Sequence, residues 1–185
     1  MIATSAQAQD FIELNAPVKT GGMPVMEAFN TRQSTRVFAD RPLDPQTLSE
    51  ILWSAWGENN HGTRTIPTAH NKQDLIVYAL MENGAWLYNA QKNGLENVTK
   101  EDLRPILAQQ DYVMSAPLSL VFAGSTDHYA TLQAGASTQN VGLYAASKGL
   151  AAVVRGLFDR EKLNEALKLQ SGKDTLITMT IGNKQ

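Results

Sequence analysis

Two arginines bracket a run of hydrogen-bonding side chains near the start of the chain, in the segment Thr31-Arg32-Gln33-Ser34-Thr35-Arg36. Guanidinium groups offer paired donors to a phosphate or a polarised carbonyl, and the hydroxyl and amide groups between them add further donors. A helical pattern precedes the segment, so the negative end of a helix dipole faces it and the arginines must supply the attraction for an anion. The segment predicts an anion-binding site. Surface pairing of the two arginines with Glu27 or Asp40 is the alternative.

Composition excludes several other kinds of chemistry. The 185 residues have 43% apolar content, a net charge of −2 and no cysteine, which fits one domain of α/β or α+β type without disulfides or thiolate metal sites. No basic face for nucleic acid is present, and the longest apolar run, residues 75–81, is far short of a membrane span. The histidines lack metal-ligand spacing and no nucleophile-base set emerges, so metal binding is not expected. The chain either binds without transforming its ligand or takes its chemistry from a cofactor.

Apolar periodicity and turn signals predict interspersed helices and strands. Asp44-Pro45 is typical of a helix start, and this helix is predicted to end at Gly57. The apolar pattern of residues 127–148 falls on most faces, which predicts a helix buried nearly all round. Turn signals at residues 82–84 and 92–94 predict a β-meander. Further helices are predicted over residues 24–32, 105–114 and 159–169, and further strands over residues 117–123, 150–154 and 174–181.

The N-terminus suggests a short arm, residues 1–22, ahead of a single domain over residues 23–185. Ala6-Gln7-Ala8 is similar to a signal-peptidase site, although no apolar region precedes it. It is either the remnant of an export signal or part of a disordered polar leader. The expected location is accordingly cytoplasmic or periplasmic.

Four segments, in order along the chain, resemble motifs of the nitroreductase family of FMN enzymes: residues 31–38, 64–71, 150–159 and 181–184. The similarity spans residues 23–184. It implies an α+β nitroreductase-like fold, with a central and mostly antiparallel sheet flanked by helices. It also implies an intertwined homodimer with FMN at the interface.

The resemblance implies a set of FMN-binding residues: Arg32, Gln33, Ser34, Arg36, Pro67, Thr68, Ala69, Asn71, Gln110, Val154, Arg155, Gly156 and Lys184. Arg32 and Ser34 would hold the phosphate or ribityl end, and Arg36 would reach the N1/C2=O edge of the isoalloxazine. Residues 67–71 would come from the other subunit. Gln110 would contact the flavin pyrimidine.

The remaining contacts implied by the resemblance are less specific. Residues 154–156 would line the dimethylbenzene and N5 side of the flavin, although many relatives carry Glu where this chain has Arg155. Lys184 would replace the basic residues that the family often has beyond its terminal motif. The alternatives are an exposed helix residue for Gln110, a strand core residue for Val154 and a solvated tail residue for Lys184.

The reaction implied by the resemblance is ping-pong hydride transfer from NAD(P)H through flavin N5 to a quinone, a nitroaromatic or a similar small acceptor. A second reaction in the same family is the oxidation of peptide heterocycles by azoline dehydrogenases. That branch uses an adjacent Lys-Tyr pair, which this sequence does not contain. A flavin-binding or anion-binding module without turnover is the third alternative.

Overall fold

A seven-stranded sheet organises the computed structural model, which describes residues 10–185. The strands are β1 Phe11–Glu13, β2 Ile76–Met81, β3 Gly84–Asn89, β4 Gly94–Thr99, β5 Leu118–Ser125, β6 Leu150–Arg155 and β7 Lys173–Asn183. Their order is β1-β4-β3-β2-β5-β7-β6, and every pairing is antiparallel. The helices are α1 Val25–Thr31, α2 Pro45–Trp56, α3 His128–Ser147 and α4 Arg160–Ala166. The α+β class, the antiparallel sheet and the β2-β3-β4 meander are therefore confirmed.

Alternation along the central strands gives the sheet two apolar faces. On β2, Val77 and Ala79 pack with α2 and α3, whereas Tyr78 and Leu80 face the opposite side. That second side is covered by α4 and by the chain between β4 and β5, through Leu103, Leu107, Val113, Leu163 and Leu167. No helix within residues 10–185 has the length and apolar character required to cross a bilayer.

The start of α2 follows directly from local sequence. The Asp44 carboxylate accepts a hydrogen bond from the Thr47 N–H at 2.9 Å, and Pro45 occupies the first helical position, where a missing N–H costs nothing. Gly57 ends the helix as predicted, because its backbone is extended, with φ −71° and ψ −179°. A side chain is excluded there, since a β-carbon would lie 2.2 Å from the Trp53 ring. The apolar side of α2 then packs on the sheet.

The helix predicted over residues 105–114 is wrong. Two short 3-10 turns, Arg104–Leu107 and Asp111–Val113, stand in its place. Gln110 between them is extended, with φ −132° and ψ 126°. The Leu107 carbonyl accepts a hydrogen bond from the Arg155 guanidinium at 2.7 Å. A side chain that is distant in the sequence therefore helps to hold this non-helical segment.

The prediction that α3 is buried on nearly all sides is also wrong for the single chain. Val141 and Ala145 are buried against the sheet, but Gly135 is exposed and Leu132 has 66% of its surface open. The sheet and α2 cover one side of the helix and leave another side uncovered. Gly149, with φ +67°, then turns the chain into β6.

The N-terminal arm contributes to the sheet where it is described. Phe11–Glu13 pairs with β4, and the Asn15 carbonyl accepts a hydrogen bond from the Ser49 hydroxyl of α2. The Val18 N–H donates to the Glu50 carboxylate at 3.3 Å. The export-signal interpretation of Ala6-Gln7-Ala8 lies outside the described residues.

Candidate functional site

The segment that bears the two arginines runs extended beside the edge of the sheet. It leaves α1 at Arg32, and the Thr35 N–H donates to the Ala152 carbonyl of β6 at 2.9 Å. Phe38, 6% exposed, forms an isolated bridge with Lys184 after β7. These contacts fix the backbone and leave the side chains of residues 32–34 exposed.

Arg32 and Lys184 line the same cavity of about 430 Å³. Its walls come from the ends of α1 and α3 and the start of β6, including Asn30, Thr31, Gln33, Thr35, Gly142, Ala145, Ala146, Gly149, Leu150 and Ala152. Neither cation forms an ion pair within residues 10–185. The negative ends of two helix dipoles lie here, so an anion in this cavity depends on these two side chains. The alternative, a surface pairing of Arg32 with Glu27 or Asp40, is wrong.

A smaller cavity of about 80 Å³ adjoins the first and shares Arg32 and Gln33 with it. Ser34, Ala152, Val154 and Met179 line it together with a stripe of α3: Gly135, Thr138, Gln139 and Gly142. Val154 has 42% of its surface exposed, so the alternative of a buried core residue is wrong. Sequence reasoning missed the α3 stripe, although its spacing of three and four residues places it on one helix face.

Arg36 is exposed and forms no ion pair among the described residues, so the alternative of its pairing with Glu27 or Asp40 is wrong too. It lines neither cavity beside Arg32. The side chains of Arg32 and Ser34 therefore face a shared cavity, while that of Arg36 lies on the open surface farther along the segment.

The loop around Pro67 lies on another side of α3. The Asn140 amide donates to the Thr65 carbonyl at 3.1 Å, and the Gln133 amide donates to the Lys72 carbonyl. None of Pro67, Thr68, Ala69 or Asn71 lines either cavity beside Arg32. Within one chain, the structure does not bring this loop to the arginine segment.

The loop also carries backbone strain. His70 and Asn71 have φ values of 53° and 55°, a left-handed conformation that costs energy for residues other than glycine. Pro67, Ala69 and Asn71 are exposed. The strained, open segment is held at both ends by α3.

Gln110 and Arg155 meet behind the end of β6. Arg155 is 3% exposed, and its Nε donates to Gln110 Oε1 at 3.0 Å. Burial lowers the pKa of Arg155, with a smaller opposing effect from Tyr112. The Arg155 side chain thus points away from the open side of β6, where Val154 is exposed. Gln110 is half-buried, and the alternative of an exposed helix residue is wrong.

Gly156 follows β6 directly and is exposed. A β-carbon at this position would meet no atom within 4 Å, and its φ is outside the left-handed range. The fold of the single chain therefore imposes no need for glycine there. Close approach of another molecule to the backbone would impose one.

A larger cavity of about 670 Å³ lies between the loop after Phe38 and the turn after β2. Arg41, Leu48, Met81, Glu82 and Arg104 are among its lining residues. It contains none of the predicted cofactor residues, so size alone does not identify the site.

Comparison with known proteins places the arginine segment in a family. The sequence model of the nitroreductase family matches residues 30–183. The matched range includes Arg32, which lines both cavities, and ends one residue before Lys184. The chain belongs to the nitroreductase family. This membership makes the protein an oxidoreductase.

Relatives of this nitroreductase-family chain support the assignment. MJ1384, a candidate nitroreductase of Methanocaldococcus jannaschii, is 27% identical, covering 83% of this chain and 87% of the relative. The crystal structure of a candidate nitroreductase from Ralstonia eutropha JMP134 is 35% identical, with a TM-score of 0.89 over 96% of this chain and 90% of that chain. A chain of the E. coli microcin synthetase McbBCD complex, with truncated pro-MccB17 bound, shares the fold at 16% identity and a TM-score of 0.72, covering 93% and 77%.

Proposed function

We propose that this nitroreductase-family protein binds FMN and transfers electrons from NAD(P)H to a small acceptor such as a quinone or nitroaromatic. The observation that carries the proposal is the pair of cations, Arg32 and Lys184, that face one cavity without carboxylate partners among the described residues. An uncompensated pair of this kind suits a phosphate. The family match supplies the class of ligand.

The residues around the two cavities fit a flavin nucleotide. Arg32, Lys184 and the Ser34 hydroxyl would hold the phosphate and ribityl end, and Gln33 adds amide donors beside them. Val154 and the open backbone at Gly156 offer an apolar surface and close approach for a ring system. The bound flavin supplies the hydride chemistry, so the protein has only to bind, orient and exclude water.

A second copy of the chain would complete this site. The loop of Pro67, Thr68, Ala69 and Asn71 does not reach Arg32 within one chain. This is consistent with a loop that contacts the FMN bound by the arginine segment of the second copy. Apolar side chains left exposed on α1 and α3 support such a partner: Val25 at 59%, Met26 at 74%, Phe29 at 52% and Leu132 at 66%. The proposed assembly is a homodimer with FMN at the interface.

Anaerobic reduction tests the proposed reaction. The protein is loaded with FMN, mixed with NADH or NADPH without oxygen, and then given quinone, nitroaromatic and thiazoline or oxazoline peptide substrates. We expect the yellow absorbance to bleach with the nicotinamide and return with a quinone or nitroaromatic. Oxidised FMN protein that stays yellow with NADH, with NADPH and with the heterocyclic peptides would be a passive flavin-binding module. Bleaching by the heterocyclic peptide alone would favour the azoline dehydrogenase.

Arg36→Ala is expected to lower the midpoint potential of bound FMN by about 30 mV, a tenfold change for a two-electron couple. Arg36 lies beyond the two cavities, so the prediction holds if the ring end of FMN extends along the segment to Arg36, where a cation stabilises the negative charge gained on reduction. A dye-equilibration titration measures the potential. Arg36→Lys, which keeps the charge, is the control and should stay near the wild-type potential. An unchanged potential in Arg36→Ala would contradict this role.

Gly156→Ala is expected to separate stability from cofactor binding. The position accepts a β-carbon, so the free energy of unfolding should be unchanged or higher by up to about 1 kcal/mol. FMN affinity should fall about tenfold, because the new methyl group occupies space that the ring approaches. Urea unfolding of the apoprotein and FMN fluorescence titration measure the two effects. Equal affinity in both proteins would show that the cofactor does not approach Gly156.

A further inference from the structure

Arg155 is a buried cation without a carboxylate partner among the described residues. Its surface is 3% exposed, and its Nη1 finds no hydrogen-bond partner. The other guanidinium nitrogens donate to neutral oxygens: Nε to Gln110 Oε1, and Nη2 to the Leu107 and Leu157 carbonyls at 2.7 and 3.0 Å. The centroid of the Tyr112 ring lies 5.8 Å from the guanidinium carbon and offsets part of the cost of burial, but no carboxylate neutralises the charge, so its retention requires a reason beyond packing.

The contact with Gln110 fixes which way that amide points. A guanidinium can only donate, so the amide atom that faces Arg155 must be the oxygen. The Tyr112 hydroxyl donates to the same Oε1 at 2.8 Å. With its oxygen held by two donors, Gln110 presents its Nε2 on the other side, and that NH₂ group has no acceptor within residues 10–185.

We infer that Arg155 is a positioning residue that makes Gln110 a donor only and that adds fixed positive charge behind the end of β6. Together they select a ligand whose facing atom is an acceptor oxygen and whose negative charge increases during the reaction. This inference rests on the proposed function, in which the ligand is FMN, and on the further proposal that the outward amide of Gln110 contacts the flavin pyrimidine. A carboxylate at position 155 would do the opposite, because it would attract the amide NH₂ and turn the oxygen outward.

Gln110→Glu is the decisive variant, because it keeps an acceptor for both Arg155 and Tyr112 but replaces the outward NH₂ with a carboxylate oxygen. Gln109→Glu is its matched control: the same charge change one residue away, on an exposed side chain that bonds the Ile106 carbonyl. FMN fluorescence titration should show at least tenfold weaker binding for Gln110→Glu and wild-type binding for Gln109→Glu. The melting temperature of the Gln110→Glu apoprotein should not fall, since its carboxylate gains a pair with Arg155.

Variants of Arg155 separate charge from orientation. Arg155→Lys keeps the charge and should retain the midpoint potential of bound FMN with weaker binding. Arg155→Met should shift the reduction equilibrium of bound FMN about tenfold toward the oxidised form, which lowers the potential by about 30 mV for a two-electron couple. Loss of melting temperature in both, with an unchanged potential, would mean that Arg155 is merely structural. If Arg155→Met does not fold, Gln110→Glu still decides. Wild-type protein that binds no FMN would overturn the proposed function, while equal binding by wild type and Gln110→Glu would overturn this inference alone.

Discussion

Arg32→Ala is expected to weaken FMN binding by about ten- to a hundred-fold, the loss expected for a charge-assisted hydrogen bond to phosphate. Arg32 shares its cavity with Lys184, and the helix ends around them do not attract anions. No backbone feature of the cavity therefore compensates for the missing guanidinium. Fluorescence titration of the apoprotein with FMN at fixed ionic strength measures the change.

Arg41→Ala is the matched control for this variant. Arg41 is also exposed and forms no ion pair within the described chain, but it lines the 670 Å³ cavity. Its loss should leave FMN affinity unchanged. The alternative role for Arg32 is to stabilise α1, because a cation near the C-terminal turn of a helix interacts favourably with the helix dipole. In that case Arg32→Ala would lower stability slightly and bind FMN as the wild type does, which would contradict the assignment.

Glu50→Gln is expected to lower the free energy of unfolding by about 2 kcal/mol near neutral pH, the scale of hydrogen bonds to a buried charged group. Glu50 is 3% exposed and joins three parts of the fold. Its carboxylate accepts from Gln46 at 2.9 Å and from Tyr144 at 2.8 Å, and it pairs with Lys148 at 3.1 Å. Glutamine keeps the shape but loses the charge that holds Lys148.

The stability that the charged Glu50 carboxylate contributes depends on pH. Burial raises the pKa of Glu50, but hydrogen bonds from Gln46, Tyr144 and Lys148 outweigh burial and hold the pKa below its ordinary value of 4.5. A lowered pKa stabilises the fold above the ordinary value, and this stabilisation is lost as the pH falls through the folded-state pKa. The difference between wild type and Glu50→Gln should therefore shrink below about pH 4.5 in urea unfolding. Glu58→Gln, on a 40% exposed side chain that pairs with Arg64 at 3.7 Å, should cost far less.

Local signals were sufficient for much of the fold. Asp44-Pro45 fixes the start of α2 by capping and by proline geometry, and the turn residues at 82–84 and 92–94 fix the meander. The helix predicted over residues 105–114 is wrong, and this segment is held in part by contacts with Arg155, far away in the sequence. Local sequence patterns do not predict a hydrogen bond between a backbone carbonyl and an arginine that is distant in the sequence.

Part of the candidate site could likewise be predicted from the sequence, and part could not. The arginine segment was singled out as an anion-binding site from residue types alone, and in the structure Arg32 and Ser34 line one cavity with Ala152 and Val154 of β6. Its role in binding FMN stays a prediction. The α3 stripe was missed because small residues are as typical of a packed helix as of a ligand groove. The role of the loop at Pro67 stays a prediction, since its expected counterpart belongs to a second copy of the chain.

Titration of the purified apoprotein with FMN, followed by flavin fluorescence and by the mass of the complex, tests the central claim most directly. We predict saturable quenching at one FMN per chain, with the saturated protein measured as a dimer. Unquenched FMN fluorescence across the titration, or binding that Arg32→Ala leaves unchanged, would contradict the account.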